Sequence, residues 1–124
     1  RYFPKASCET TFSFETNSEP GQYVPVHVHP HQDEFILVQE GQLELKLDGV
    51  WSTAKAGDLV RMPMGVPHGY FNKSDQPVRA LFWVSPAGKL EALFEVLHNM
   101  TDVPAVIAAS AAHEVDFLPP EASE

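Results

Sequence analysis

The stretch HVHPHQDEF, His27 to Phe35, sets three histidines and two carboxylates within nine residues. Imidazole and carboxylate groups bind first-row transition metals and move protons near neutral pH. On an extended strand, residues i and i+2 share a face, so His27 and His29 point the same way, about 7 Å apart along the backbone. Pro30 cannot donate to a ladder, so a turn is expected there, and Glu34 can return beside the two rings on the next strand. A fourth ligand must come from elsewhere, and MPMGVPHGYFN, Met62 to Asn72, offers His68 at the start of a strand after a Pro- and Gly-rich turn. Three neutral imidazoles and one carboxylate around a divalent ion leave a formal charge of about +1 and room for exogenous ligands. The expected cofactor is one divalent transition metal per chain: Fe, Ni, Mn, Co, Cu or Zn.

Short apolar runs punctuated by eleven prolines and seven glycines must position these groups. Strands are expected at Thr10 to Thr16, Gln22 to His29, Glu34 to Glu40, Gln42 to Asp48, Asp58 to Pro63, His68 to Lys73 and Val78 to Ser85. Leu43, Leu45 and Leu47 alternate with Glu44, Lys46 and Asp48, the pattern of a strand with one wet face. FILV and LFWV are apolar on both faces, so those strands should be covered on both sides. Successive strands without intervening helices read as an all-β antiparallel sandwich or barrel, over about residues 9–85. Beyond it, in a helical tail over 86–124, Ser85 is expected to cap a helix with Pro86 in its first turn. Leu90, Leu93, Phe94 and Leu97 form its apolar stripe. Pro104 to His113 reads as a second, weaker helix, and LPPEASE as a docked or frayed end. Absence of a repeat or linker makes residues 1–124 a single domain.

The net charge of −9 and the absence of any basic cluster argue against nucleic acid and anionic membrane surfaces as partners. Cys8 is the one cysteine, so no internal disulfide can form, which favours a reducing compartment. No apolar run approaches the length of a spanning helix, and no secretory pattern opens the sequence. Cytoplasmic is the expected location.

Two motifs carry a family resemblance. Gly21, His27, His29, Glu34 and Gly41 stand at the spacings of the first cupin motif, and Gly57, Pro63, Gly65, His68 and Asn72 at those of the second. The chain therefore resembles the cupin family. The resemblance implies a small jelly-roll β-barrel with a C-terminal helix and a site inside the barrel. It also implies His27, His29, Glu34 and His68 as metal ligands, the glycines and Pro63 as turn positions, and no metal role for Asn72. More weakly, VSPAGKLEALFEVL and the later AAHEVDFLPP resemble the tail of single-domain quercetinase-like cupins. That implies a metal-dependent dioxygenase acting on a flavonol-like substrate.

His31 lies beyond Pro30 and is expected as an exposed loop residue, with a role behind a ligand as the alternative. His98 and His113 fall in the helical tail and read as structural or solvated, and Cys8 has no nucleophile context. Val24, Val26 and Val28 have the opposite parity to the two histidines and need covering, by other strands of the chain or by a second subunit. A homodimer is expected. Parity with the ligands makes Ile36, Val38 and Tyr70 candidate walls of a substrate pocket, with Met62, Met64 and Phe82 adding apolar surface. A small aromatic or enol-type substrate fits such a pocket, with Glu34 as general base in an oxygenase. A non-catalytic metal- or small-molecule-binding protein, or a non-oxidative isomerase or cyclase, would use the same centre.

Overall fold

The computed structural model describes residues 2–124. Nine strands come first: β1 (Tyr2–Ser7), β2 (Phe12–Ser18), β3 (Tyr23–Val28), β4 (Asp33–Glu40), β5 (Gln42–Leu47), β6 (Val50–Lys55), β7 (Leu59–Met62), β8 (His68–Phe71) and β9 (Val78–Ser85). Helices α1 (Leu90–Leu97) and α2 (Val103–Ala112), the short strand β10 (Asp116–Phe117) and a 3-10 turn (Pro120–Ser123) follow. The strands form two antiparallel sheets, ordered β1-β2-β9-β4-β7 and β10-β3-β8-β5-β6. Apart from the β1–β2 and β5–β6 hairpins, successive strands cross between the sheets, as in a jelly roll. Among the described residues no helix is long and apolar enough to cross a membrane.

All seven expected strands are present. Three were not expected, for different reasons. Pro4 interrupts β1, an edge strand, β6 is largely exposed with little apolar alternation, and β10 has only two residues. The alternation in β5 is realised, with Leu43 and Leu45 buried and Glu44 and Lys46 turned outward. Period-two packing also fills the space between the sheets: Phe12, Phe14, Ile36, Val38, Phe82 and Val84 are essentially inaccessible. Phe14 stacks on Phe82 with ring centroids 5.3 Å apart, and Tyr70 lies 4.9 Å from Phe82.

The expectation that β4 and β9 are covered on both faces holds on the inner face only. On the outer face Phe35 stacks on Trp83 at 5.3 Å, and these rings, with Leu37 and Leu81, stay half-buried. Of the β3 valines, Val26 is buried within the chain, and Val24 and Val28 stay half-buried. β10 pairs with β3, Leu118 N–H donates to the Val26 carbonyl at 3.1 Å, and Val26 N–H donates to Ser123 Oγ at 2.9 Å. The tail LPPEASE is thus docked, and Lys46 Nζ holds it by donating to the carbonyls of Ala122 and Glu124, both at 2.8 Å.

The first helix starts later than expected. Ser85 is still paired with Asp33 in the ladder, and its hydroxyl donates to the Thr10 carbonyl instead of capping a helix. The Ser85–Pro86 bond is cis, and α1 begins only at Leu90, with no side-chain cap. Leu90 and Leu93 are buried, and Phe94 and Leu97 pack half-buried beside them. In α2, Asp102 accepts from Ala105 N–H at 3.1 Å, and Pro104 falls in the first turn.

Phe82 marks where the core depends most on shape. Phe82→Ala should cost about 3–5 kcal/mol in urea denaturation, as expected for an aromatic cavity in a rigid core; a loss below about 1 kcal/mol would show that the sheets collapse onto the gap.

Candidate metal centre

His27 ends the buried part of β3, and its position depends on an irregularity. The β3–β8 register shifts between Val24 and His27, which brings His27 opposite His68. Gly69 permits the close approach, since a Cβ there would stand 2.9 Å from Val26 N. His29 follows β3 directly, and Glu34, the second residue of β4, lies on the inward face shared with Ile36 and Val38. All four candidate ligands are at most 3% exposed, so the two sheets bring them together out of contact with bulk water.

The outward nitrogens determine what the rings present inward. His27 Nδ1 faces the Pro25 carbonyl at 2.7 Å, and His68 Nδ1 faces the Val66 carbonyl at 3.2 Å. His29 Nδ1 faces Oε1 of Gln32 at 2.9 Å. Each of these contacts needs Nδ1–H as donor, so the neutral ring carries its lone pair on Nε2. The Nε2 atoms of His27 and His29 are 3.2 Å apart. Glu34 Oε2 lies 3.3 Å from Nε2 of His29, and Oε1 lies 3.6 Å from Nε2 of His68. One ring nitrogen from each histidine falls within 4.8 Å of the other two. Nε2 of His68 and Oε1 of Glu34 are buried without a hydrogen-bond partner among the described residues.

Burial, then the neighbouring His68 and His29, lowers the His27 pKa to about 3, so this ring is neutral at physiological pH. For Glu34, burial alone would push the carboxyl up, but the approach of His68 and the pull of His29, His68 and His27 outweigh it and hold it low. Inward-facing acceptors beside an ionised carboxylate form a donor set suited to a divalent cation. The residues fit the implied metal.

Above this cluster lies a cavity of about 580 Å³. His27, His29, Glu34 and Tyr70 line one side, and Leu90, Leu93, Phe94 and Ser110 of the two helices line another. Asn17, Gly21, Gln22 and Tyr23 also border it, and because these are exposed the cavity reaches the surface there. The Tyr70 phenol is pushed well above its usual pKa by burial and by the Glu34 charge, so it stays a donor. Ser110 is fully buried, and its hydroxyl lacks a partner among the described residues.

Of the residues expected to wall a pocket, Tyr70 borders the cavity. Ile36, Val38, Met62 and Phe82 face inward but are packed into the core and do not line it. Met64, expected to add apolar surface, is 46% exposed, because the chain turns after Pro63. His31 is exposed, and the neighbouring Gln32, which sequence reasoning passed over, supports His29. Asn72 is tied to Ser18, Ser74 and Gln76 as a loop staple. The helical wall was also missed; its signal was the apolar stripe at Leu90, Leu93 and Phe94, which fits cavity lining as well as packing.

A cupin-domain family model matches residues 14–84. The chain is a cupin. Among curated relatives, the polyketide synthase protein CurC of Streptomyces cyaneus is 33% identical over 87 residues, covering 70% of this cupin and 54% of that protein. Quercetin 2,3-dioxygenase of Bacillus subtilis (strain 168) is 37% identical over 82 residues, covering 66% of this cupin and 24% of the dioxygenase. This cupin thus spans about half or less of the length of either relative. A solved structure from Thermus thermophilus superimposes with a TM-score of 0.66 at 27% identity, over 69% of this cupin and 82% of that chain.

In the metal-free protein His27 titrates at about 3 when folded and near 6.5 when unfolded. Between those values the unfolded chain binds the extra proton, so stability rises with pH, and the lowered Glu34 carboxyl acts in the same direction at the acid end. Acidifying chelator-treated protein from about pH 7 should cost up to about 1.4 kcal/mol per pH unit through His27. Urea midpoints that stay flat from roughly pH 7 to 4 would contradict this placement of the ring.

Proposed function

We propose that this cupin is a metal-dependent oxygenase, a quercetinase-like dioxygenase acting on a small aromatic or enol-type substrate. The observation that carries the proposal is the buried cluster of three histidine Nε2 acceptors, with the Glu34 carboxylate beside two of them, opening onto a largely apolar cavity. His27, His29, Glu34 and His68 would hold the ion, which when bound supplies Lewis acidity and, for a redox-active metal, a site where O2 and substrate can meet.

The chain's own groups do the rest. Oε1 of Glu34, ionised and without a hydrogen-bond partner among the described residues, can accept the proton of an acidic enol. Tyr70, held protonated, can donate to a substrate oxygen. Phe14 and Phe94, packed edge to face at 5.0 Å, give aromatic surface that orients a flat ligand and excludes water. The buried Ser110 hydroxyl would meet a polar substituent of the ligand.

A second reading is a non-oxidative isomerase or cyclase. Glu34 and Tyr70 form an acid–base pair in one cavity and can move protons without O2, and one relative is a polyketide synthase protein. Substrate-dependent O2 uptake separates the readings.

The half-buried stripe of Phe35, Leu37, Leu81 and Trp83 supports a homodimer through the outer face of β4 and β9. Its rim carries both signs, in the Arg61–Asp33 and Arg79–Glu40 pairs, so two copies related by a twofold axis can match charges. Cys8 is free and exposed, which fits a reducing compartment, and the cytoplasm is the proposed location.

His68→Ala should remove most of the metal affinity while circular dichroism shows a folded barrel; full metal occupancy in this variant would refute the ligand assignment. Glu34→Gln should lower O2-uptake turnover by about 100-fold or more while costing less in metal binding. Parallel losses in both would leave the carboxylate a ligand alone.

A further inference from the structure

Gln32 lies between two candidate ligands in sequence, yet it belongs to neither sheet ladder and is only 2% exposed. Its side chain joins two parts of the molecule. Oε1 accepts from His29 Nδ1 at 2.9 Å, while Nε2 donates to the Pro86 carbonyl at 3.0 Å and the Ala87 carbonyl at 2.6 Å. This arrangement fixes the amide orientation. Two carbonyl oxygens can only be met by the NH2 group, so the amide oxygen must face the ring, and the ring must offer Nδ1–H. Gly88 leaves the space for it. A Cβ at Gly88 would stand 2.7 Å from Gln32 Nε2, and its φ of +55 is also unfavourable for a side chain.

The other two histidines are held differently. His27 and His68 each lean on a backbone carbonyl two residues earlier in their own segment. His29 alone is oriented by a side chain, and that side chain is anchored more than fifty residues away, on the segment that leads into α1. Leu90, Leu93 and Phe94 of α1 line the cavity. We infer that Gln32 is a positioning residue that orients His29 for the metal and ties the centre to the segment carrying the cavity's helical wall. The inference rests on the metal-centre reading proposed above.

Three variants test it through the Co(II) affinity and visible absorption spectrum of the protein, with thermal midpoints measured on the metal-free form. Gln32→Met keeps length and bulk but makes neither set of hydrogen bonds. It should weaken Co(II) binding by about 10- to 100-fold and alter the spectrum. Gly88→Ala, which pushes the amide away with Gln32 intact, should shift both readouts the same way. Gln32→Glu still accepts from His29 Nδ1 but sets a carboxylate oxygen against two carbonyls. It should therefore melt lowest of the three while binding Co(II) more tightly than Gln32→Met.

That crossed order is what a merely structural residue would not give, since a packing role makes the variant of lowest stability also the weakest binder. Co(II) affinity of Gln32→Met within about twofold of wild type with an unchanged spectrum, or Gln32→Glu binding more weakly than Gln32→Met, would overturn the inference. Should Gln32→Met fail to fold, Gly88→Ala decides by the same two readouts. Failure of the wild-type protein to bind Co(II) would overturn the metal-centre reading, and this inference with it.

Discussion

One electrostatic constraint dominates this barrel: three imidazole lone pairs converge beside a buried carboxylate at the floor of the cavity. Buried acceptors left unpaired cost free energy, on the order of 1–3 kcal/mol each. The chain could have relieved the strain by turning a ring so that an N–H faced inward. It does the reverse, because the Pro25 and Val66 carbonyls and the Gln32 amide oxygen claim the Nδ1 protons on the outside. A cation removes the cost, and proton-free rings bind one without first releasing a proton. The register shift in β3 and the missing side chain at Gly69 serve this convergence rather than the stability of the ladder.

The cavity divides its labour between two parts of the chain. The cluster comes from the strands and from His29 just after β3, where packing in the core holds the backbone. The opposite wall comes from α1, α2 and the segment after them, including Val115 and Phe117. Those helices can change their side chains without disturbing the cluster, which is how one barrel comes to host unrelated reactions. Ser110 illustrates the cost of that wall. A fully buried hydroxyl without a hydrogen-bond partner among the described residues is a poor choice for stability and a good one for reading a ligand.

The fold and the cluster were legible in the sequence for a specific reason. Strand parity and the two turns are local, so His27, His29, Glu34 and His68 could be placed by spacing, and Leu43 and Leu45 by alternation. What could not be read depends on distant pairing. Gln32 is an ordinary polar residue until Pro86 and Ala87 come beside it. Ser85 has the residue type of a helix cap, but the ladder keeps it in β9. Met64 was expected to add apolar surface to the pocket, but the turn after Pro63 leaves it exposed. The edge of β3 did need a partner, and a tail whose sequence shows little periodicity supplied it through β10 and Ser123, with Val26 buried beneath.

The central claim is that the three Nε2 lone pairs face one ion. Nitrogen-15 NMR of the histidine side chains tests it most directly, on chelator-treated protein titrated with Zn(II). The account predicts the Nδ1–H tautomer for His27, His29 and His68, with all three Nε2 resonances shifting together and saturating at one equivalent, while His31, His98 and His113 stay in place. A proton on Nε2 of any of the three neutral rings, or an addition of Zn(II) that leaves them unmoved, would contradict it.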